Sequence, residues 1–197
     1  SMMYASVETC KKKISAGIGK PFMLCEYTHA MGNSCGDAKE YWDYIYGEKT
    51  FFGAFVWEWC CHTVKKDDGR FLFGGDFNEK EPCSRYDGKF CVDGLVDTDR
   101  RIHPSLYEIG QIYAPVDVEQ TAEGFRVINR YDFIPLDKIS LKCRYEINGK
   151  TEKTEEYSLL GIKPKESREF KINFKKSGYS AIIFEFFNSI LTATFFI

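Results

Sequence analysis

Glu26 closes a short apolar run, Phe22-Met23-Leu24-Cys25, and is followed at once by Tyr27, Thr28 and His29. A second run, Phe51 to Trp59, ends in Trp57-Glu58-Trp59. Where such runs are parallel strands of an α/β barrel, residues at their C-terminal ends face the active site. A carboxylate, an imidazole and an indole gathered there would suit sugar chemistry. The carboxylate would attack or assist at an anomeric carbon, and the indole would stack on the apolar face of the ring. The same residues also fit a buried, hydrogen-bonded Glu among core aromatics, and spacing alone leaves both readings open.

The elements that would position these side chains follow from local pattern. Lys20-Pro21 leads into Phe22–Glu26, whose length and flanks read as a buried strand. Met31 to Gly36 is a Gly/Asn/Ser loop. Asp37 to Tyr46 reads as a helix, with Ala38, Tyr41, Trp42 and Ile45 on one face, Asp37 as N-cap and Gly47 at C′. Phe51–Trp59 reads as a second buried strand. Strand, loop, helix, strand is the order of an α/β unit with parallel strands. Residues 60–103 read as a long loop, ordered by its aromatics. Pro104 opens a short helix in which Ser105 and Glu108 have capping-box spacing, and Ala114-Pro115 ends it.

The second half changes character. Phe125–Phe133, Ser140–Ile147, Thr151–Leu159, Arg168–Phe174 and Tyr179–Phe187 are strand-like, and Asn148-Gly149 is a type I′ hairpin signal. Short strands at this spacing indicate an antiparallel β-sandwich. The expected organisation is an α/β region over residues 1–115 and an all-β domain over 116–197.

Composition narrows the partners. The 197 residues carry 27 Lys+Arg against 29 Asp+Glu, a net charge of -2. Phosphate binding needs a basic excess or stripe, so nucleic acid and anionic membrane surfaces are disfavoured. Lys11-Lys12-Lys13 and Lys65-Lys66 read as solvated surface. No stretch approaches the ~18 apolar residues of a membrane span, and the first residues lack a signal-peptide pattern. None of the eight cysteines forms a C-x-x-C pair, and Cys60 and Cys61 are adjacent. They read as reduced thiols of a cytoplasmic protein.

The local sequences add a resemblance. Phe22-Met23-Leu24-Cys25-Glu26-Tyr27-Thr28-His29-Ala30-Met31-Gly32-Asn33-Ser34 resembles the nucleophile segment of family 2 glycoside hydrolases of the long bacterial β-galactosidase type. Met3-Tyr4-Ala5, Gly53–Trp59, Gly74–Phe77, Phe90–Val96, Asp99-Arg100 and His103–Glu108 resemble further segments of that family in the same order. The resemblance covers residues 2–115 closely and residues 116–197 mostly by pattern.

It implies the last part of a (β/α)8 TIM barrel followed by an immunoglobulin-like β-sandwich. It implies Glu26 as the nucleophile of a retaining glycosidase acting on terminal β-D-galactosides such as lactose. Tyr4 would hydrogen-bond the nucleophile, His29 would bind sugar hydroxyls and stabilise the transition state, and Trp57 would floor the galactose pocket. Tyr27 and Asp93 are further substrate contacts on this reading. Glu58, Trp59, His62 and His103 read as structural, and Asp87 as a residue behind the site. Phe90, through its carbonyl, and Asp93 match positions that hold sodium. The family pattern often has Asn where this chain has Asp93, yet a carboxylate still suits a hard cation.

The family's acid/base glutamate and its magnesium ligands match nothing in this chain. The chain therefore reads as a fragment of a larger enzyme, inactive alone, with a sandwich that stops short of its last strand. It is expected to need the remainder of that enzyme and to dimerise or swap elements to cover open strand edges. The competing reading is a non-catalytic carbohydrate-binding or structural β-rich module.

Overall fold

The structure, a computed structural model, describes residues 1–33, 35–77, 88–172, 178–188 and 192–196. The chain divides into two compact units, Ser1–Ile112 and Tyr113–Ile197. Among the described residues no helix is long and apolar enough to cross a membrane.

The first unit is built on three parallel strands in the order β1-β2-β3: β1 (Met2–Met3), β2 (Phe22–Tyr27) and β3 (Phe51–Val56). Each connection carries a helix, as parallel neighbours require. Helix α1 (Val7–Ser15) lies between β1 and β2, where the sequence reading placed no element. Only Cys10 and Ile14 bury on it, so its apolar stripe is too thin to register as a period. Its ends are nonetheless well specified. Ser6 caps the Thr9 N–H, Glu8 sits in the first turn, and Lys12 and Lys13 sit in the last, where the helix dipole favours cations.

Helix α2 (Ala38–Gly47) buries Ala38 and Ile45 and packs Tyr41 and Trp42 against the core, the face expected. Its ends differ from expectation. Asp37 occupies the N-cap position with φ 62, and its side chain makes no capping bond. A left-handed backbone there turns the carboxylate away from the free N–H groups. Gly47 is the last helical residue, not a C′ glycine, and the chain leaves through an extended Glu48. The β3 strand stops at Val56, three residues short of the expected end.

Residues 60–103 have little regular structure, as expected. A two-residue ladder pairs β4 (Val64–Lys65) with β5 (Phe71–Leu72), and Gly88–Cys91 is a 3-10 turn. Val96 bridges both Cys60 and Ile102. Helix α3 (Pro104–Ile112) starts on Pro104, whose missing N–H costs nothing at that position. Ser105 is therefore inside the helix and the expected capping box is not formed. Ile109 is the buried residue of α3.

The second unit contains two antiparallel sheets. One has the order β10-β7-β6, from β6 (Val116–Gln120), β7 (Gly124–Asn129) and β10 (Ser167–Lys171). The other has the order β12-β11-β8-β9, from β8 (Ser140–Ile147), β9 (Lys150–Tyr157), β11 (Ala181–Phe187) and β12 (Thr192–Phe196). The sequence reading omitted β6 and carried β7 four residues too far. The Asn148-Gly149 hairpin forms as expected, with φ 49 and 76 at its two central residues. One continuous core holds inward residues of both sheets: Val116, Phe125 and Val127 from one, and Leu141, Cys143, Tyr145, Ile182, Phe184 and Phe186 from the other. Each fully buried side chain of this kind stabilises by about 1.5–3 kcal/mol relative to exposure.

Asn129 is fully buried among them and fully engaged. Its Nδ2 donates to the Ile134 carbonyl (2.9 Å) and the Ile162 carbonyl (3.2 Å), and its Oδ1 accepts from the Tyr131 N–H (3.0 Å). The edge strand β9 is largely exposed and rich in Lys, Glu and Thr.

Candidate active site

The site is assembled where β2 and β3 end. The β2–β3 register is irregular between Leu24 and Tyr27, so strict alternation fails there. Glu26 stays half-buried, while Tyr27 turns fully into the core. Tyr27 was expected to touch substrate. Instead its hydroxyl accepts a bond from Trp42 Nε1 (2.9 Å) and its ring packs edge-on against Tyr41. That placement is core packing, with no surface open to solvent. Cys25 is exposed, with its thiol donating to the Met2 carbonyl at 3.5 Å.

Tyr4 follows β1 and is tied to Glu26 through the backbone, its N–H donating to the Glu26 carbonyl (2.9 Å), and its hydroxyl feels the Glu26 carboxylate. The φ of 50 at Tyr4 marks the turn that brings the ring back over the strand end. Its ring centre is 5.8 Å from that of His29. Tyr4 is 46% exposed, yet partial desolvation of its hydroxyl, its interaction with Glu26 and the charges of Glu26, Asp93 and Glu58 all raise its pKa. Tyr4 therefore stays neutral beside the carboxylate.

Beyond β3 the backbone laces the two strand ends together. The Trp57 N–H donates to the Tyr27 carbonyl (3.2 Å), and the Ala30 N–H to the Trp57 carbonyl (2.7 Å). The Trp57–Glu58 peptide is cis. Glu58 exchanges backbone bonds with the segment around Gly94, from its N–H to the Asp93 carbonyl (3.1 Å) and from the Leu95 N–H to its own carbonyl (2.8 Å). Gly94 is required there. A Cβ at this position would stand 2.2 Å from the Cys61 nitrogen, 2.4 Å from the Cys60 carbonyl carbon and 2.5 Å from the Val96 oxygen.

This lacing sets Asp93 beneath the site, 2% exposed. Its Oδ2 accepts from Trp57 Nε1 (3.2 Å) and lies 3.7 Å from His29 Nε2. Asp93 Oδ1 and His29 Nδ1 are buried without a hydrogen-bond partner among the described residues. On the far side, Glu58 Oε1 is 2.8 Å from His62 Nε2. Burial pushes the Glu58 carboxyl up, His62 opposes that, and Asp93 adds to it.

The structure thus gathers Glu26, Tyr4, His29, Trp57 and Asp93, residues that the sequence spreads over ninety positions. Phe90 lies in the 3-10 turn just before Asp93, with its ring exposed. Asp87, Ser34 and Cys83 lie outside the described residues. Sequence reasoning missed that Glu58 and His62 continue the polar cluster: one atom each of Glu58, His62 and Asp93 lie within 4.8 Å of one another. Their i, i+4 spacing was visible, but their pairing with Asp93 depends on backbone bonds across a long loop. Carboxylates crowded around a half-buried centre favour positive charge, whether on a bound cation or on a carbon losing its leaving group.

Comparison with known proteins gives the family. Residues 1–118 match the glycosyl hydrolases family 2 TIM barrel domain, and residues 125–196 match domain 4 of β-galactosidase. The chain belongs to glycosyl hydrolase family 2. More particularly, it is similar to β-galactosidases. It is 41% identical over 150 residues to that of Actinobacillus pleuropneumoniae, covering 76% of this chain and 14% of the relative. It is 42% identical over 146 residues to that of Staphylococcus xylosus (70% and 14%) and 36% over 157 to that of Kluyveromyces lactis (75% and 14%). The chain spans about 14% of the length of these relatives.

Proposed function

We propose that this chain supplies the nucleophile side of a retaining β-galactosidase site, acting on terminal β-D-galactosides such as lactose. The observation that carries the reading is Tyr4 bound through its N–H to the Glu26 carbonyl at the mouth of parallel strands, beside His29, Trp57 and Asp93. Glu26 attacks the anomeric carbon as the bond to the leaving oxygen breaks, and a covalent glycosyl-enzyme forms. Tyr4 donates to the carboxylate, fixing which oxygen faces the sugar. The surrounding negative charge favours the oxocarbenium-like transition state. Trp57, held through its Nε1 by Asp93, presents an indole face for the ring, and His29 offers a nitrogen to sugar hydroxyls.

A retaining mechanism places two carboxyl groups about 5–5.5 Å apart. On this proposal the second, which protonates the leaving group, comes from the remainder of the enzyme, so the chain alone does not turn over substrate. The all-β unit is the immunoglobulin-like sandwich that follows the barrel. The free thiols among the described cysteines suit the cytoplasm. The chain's open strand edges suit a homo-oligomer or swapped dimer when it stands alone.

The buried, donor-free Oδ1 of Asp93 fits a hard monovalent cation. Asp93 and the Phe90 carbonyl would hold sodium, which when bound supplies positive charge that orients a sugar hydroxyl. Magnesium would belong to the parent enzyme through ligands outside this chain.

The test is intact mass after incubation with an activated 2-fluoro-galactoside, whose leaving group needs little acid assistance. A single adduct that maps to Glu26 and is missing from Glu26→Gln is the expected result. A folded chain that stays unlabelled, or is labelled elsewhere, overturns the assignment of Glu26.

A further inference from the structure

Cys61, Asp97 and His103 form a second cluster, next to Gly94. One ligand atom from each lies within 4.8 Å of the other two. Two details organise the group for a cation. The Gly94 backbone lies against Cys61, where a Cβ on Gly94 would stand 2.2 Å from the Cys61 nitrogen, and His103 Nδ1 is 2.8 Å from the Gly94 carbonyl. The carbonyl can only accept, so Nδ1 carries the proton and Nε2 keeps its lone pair. A histidine held by its other nitrogen is the supporting bond that metal-ligating histidines usually have.

We propose that Cys61, Asp97 and His103 form a three-ligand site for a thiophilic divalent cation, with zinc as the best fit. Thiolate, carboxylate and neutral imidazole sum to a charge of -2, which a divalent ion cancels. Sulfur, nitrogen and oxygen donors together suit zinc, with bonds of about 2.0–2.3 Å and ligands about 3.5 Å apart in a tetrahedron. From separations within 4.8 Å, the ligand atoms need to close by up to about 1.3 Å to reach that geometry.

Cys61 is buried, whereas Asp97 and His103 are half-exposed, so the fourth position opens toward solvent. Asp97 Oδ1 accepts from the Thr98 N–H, and its Oδ2 pairs with Arg101 at 2.5 Å. Arg101 is mostly exposed and also pairs with Asp99, so it can yield one carboxylate oxygen without losing its other partner. Burial, and then the charges of Asp97, Asp93 and Cys60, push the Cys61 thiol up against the lowering effect of Gly94. Cys60 does not compete: its thiol is directed to the Cys61 and Asp97 carbonyls. The site would pin the strand end at Cys60–Cys61 to the start of α3.

The experiment titrates the full chain, reduced, with Co2+ and follows the thiolate-to-cobalt absorption in the near ultraviolet. One equivalent should bind, be displaced by Zn2+, and give that band. Cys61→Ser should abolish the band, and His103→Gln and Asp97→Asn should each weaken binding by at least about 10-fold with the circular dichroism spectrum unchanged. Cys25→Ser, at an exposed thiol, should change nothing. Binding weaker than about 100 μM by the parent chain overturns the proposal. So does a band that survives in Cys61→Ser, or affinity undiminished in His103→Gln. If Cys61→Ser fails to fold, the two other ligand variants decide the matter.

Discussion

Gly94→Ala should be one of the most damaging single-methyl changes in the first unit. The added Cβ meets three backbone atoms at 2.2, 2.4 and 2.5 Å, and none is the end of a flexible side chain that could swing aside. Relief requires the Asp93–Leu95 segment to move away from Cys60–Cys61. Overpacking of this sort costs about 1–3 kcal/mol. The movement also stretches the two backbone bonds that Glu58 exchanges with Asp93 and Leu95. At about 1 kcal/mol each, they bring the expected loss to about 3–5 kcal/mol. The assay is urea unfolding followed by tryptophan fluorescence, since Trp42, Trp57 and Trp59 all lie in this unit. Gly53→Ala is the control: a Cβ there meets nothing within 4 Å, so its effect should stay within about 1 kcal/mol. A Gly94→Ala midpoint indistinguishable from the parent's would refute the close-approach argument. It would also remove the reason given for the placement of Asp93 under Trp57.

Asn129→Ala removes three hydrogen bonds at a fully buried position, so it should cost the second unit about 3 kcal/mol, read as a shifted urea midpoint with unchanged slope. A loss under about 1 kcal/mol would mean that water enters and replaces the amide. Alkali should weaken the same unit. Burial is the main cause that pushes Tyr157 up to about 12 and Tyr145 up as well, and their hydroxyls are 2.7 Å apart with Glu155 beside them. The folded state keeps protons that the unfolded chain releases near pH 10, so this contribution is intact below about pH 10 and lost as pH climbs through about 12. The unfolding midpoint, measured across that interval, should fall, and Tyr157→Phe should flatten the fall; a midpoint that does not move would contradict the raised pKa values.

Local chemistry made much of the fold legible. The Phe22–Glu26 strand, the buried face of α2 and the Asn148-Gly149 turn each depend on residues within a few positions of one another. What escaped is what tertiary contact decides. Tyr27 stands beside Glu26 in sequence and was assigned to the sugar with it, but a register irregularity after Leu24 sends it inward. Asp37 has the right side chain for a cap and the wrong backbone. α1 buries two residues and rests on its caps rather than on a stripe. At the site, the nucleophile segment could be read from one continuous stretch. The joining of Asp93 to Trp57, and the continuation to Glu58 and His62, could not. These contacts run through backbone bonds across a loop of some thirty residues, and no local period encodes them.

The four-stranded sheet has two unlike edges. β9 presents Lys150, Glu152, Lys153, Glu155 and Glu156, and a second copy docking there would have to strip water from those charges. β12, Thr-Ala-Thr-Phe-Phe, carries no charge at all. Any strand-to-strand growth of this domain is therefore one-sided. Two copies joined through their β12 strands leave only the guarded β9 as an edge of this sheet for the next. Self-association by this route ends at a pair rather than continuing into a fibre.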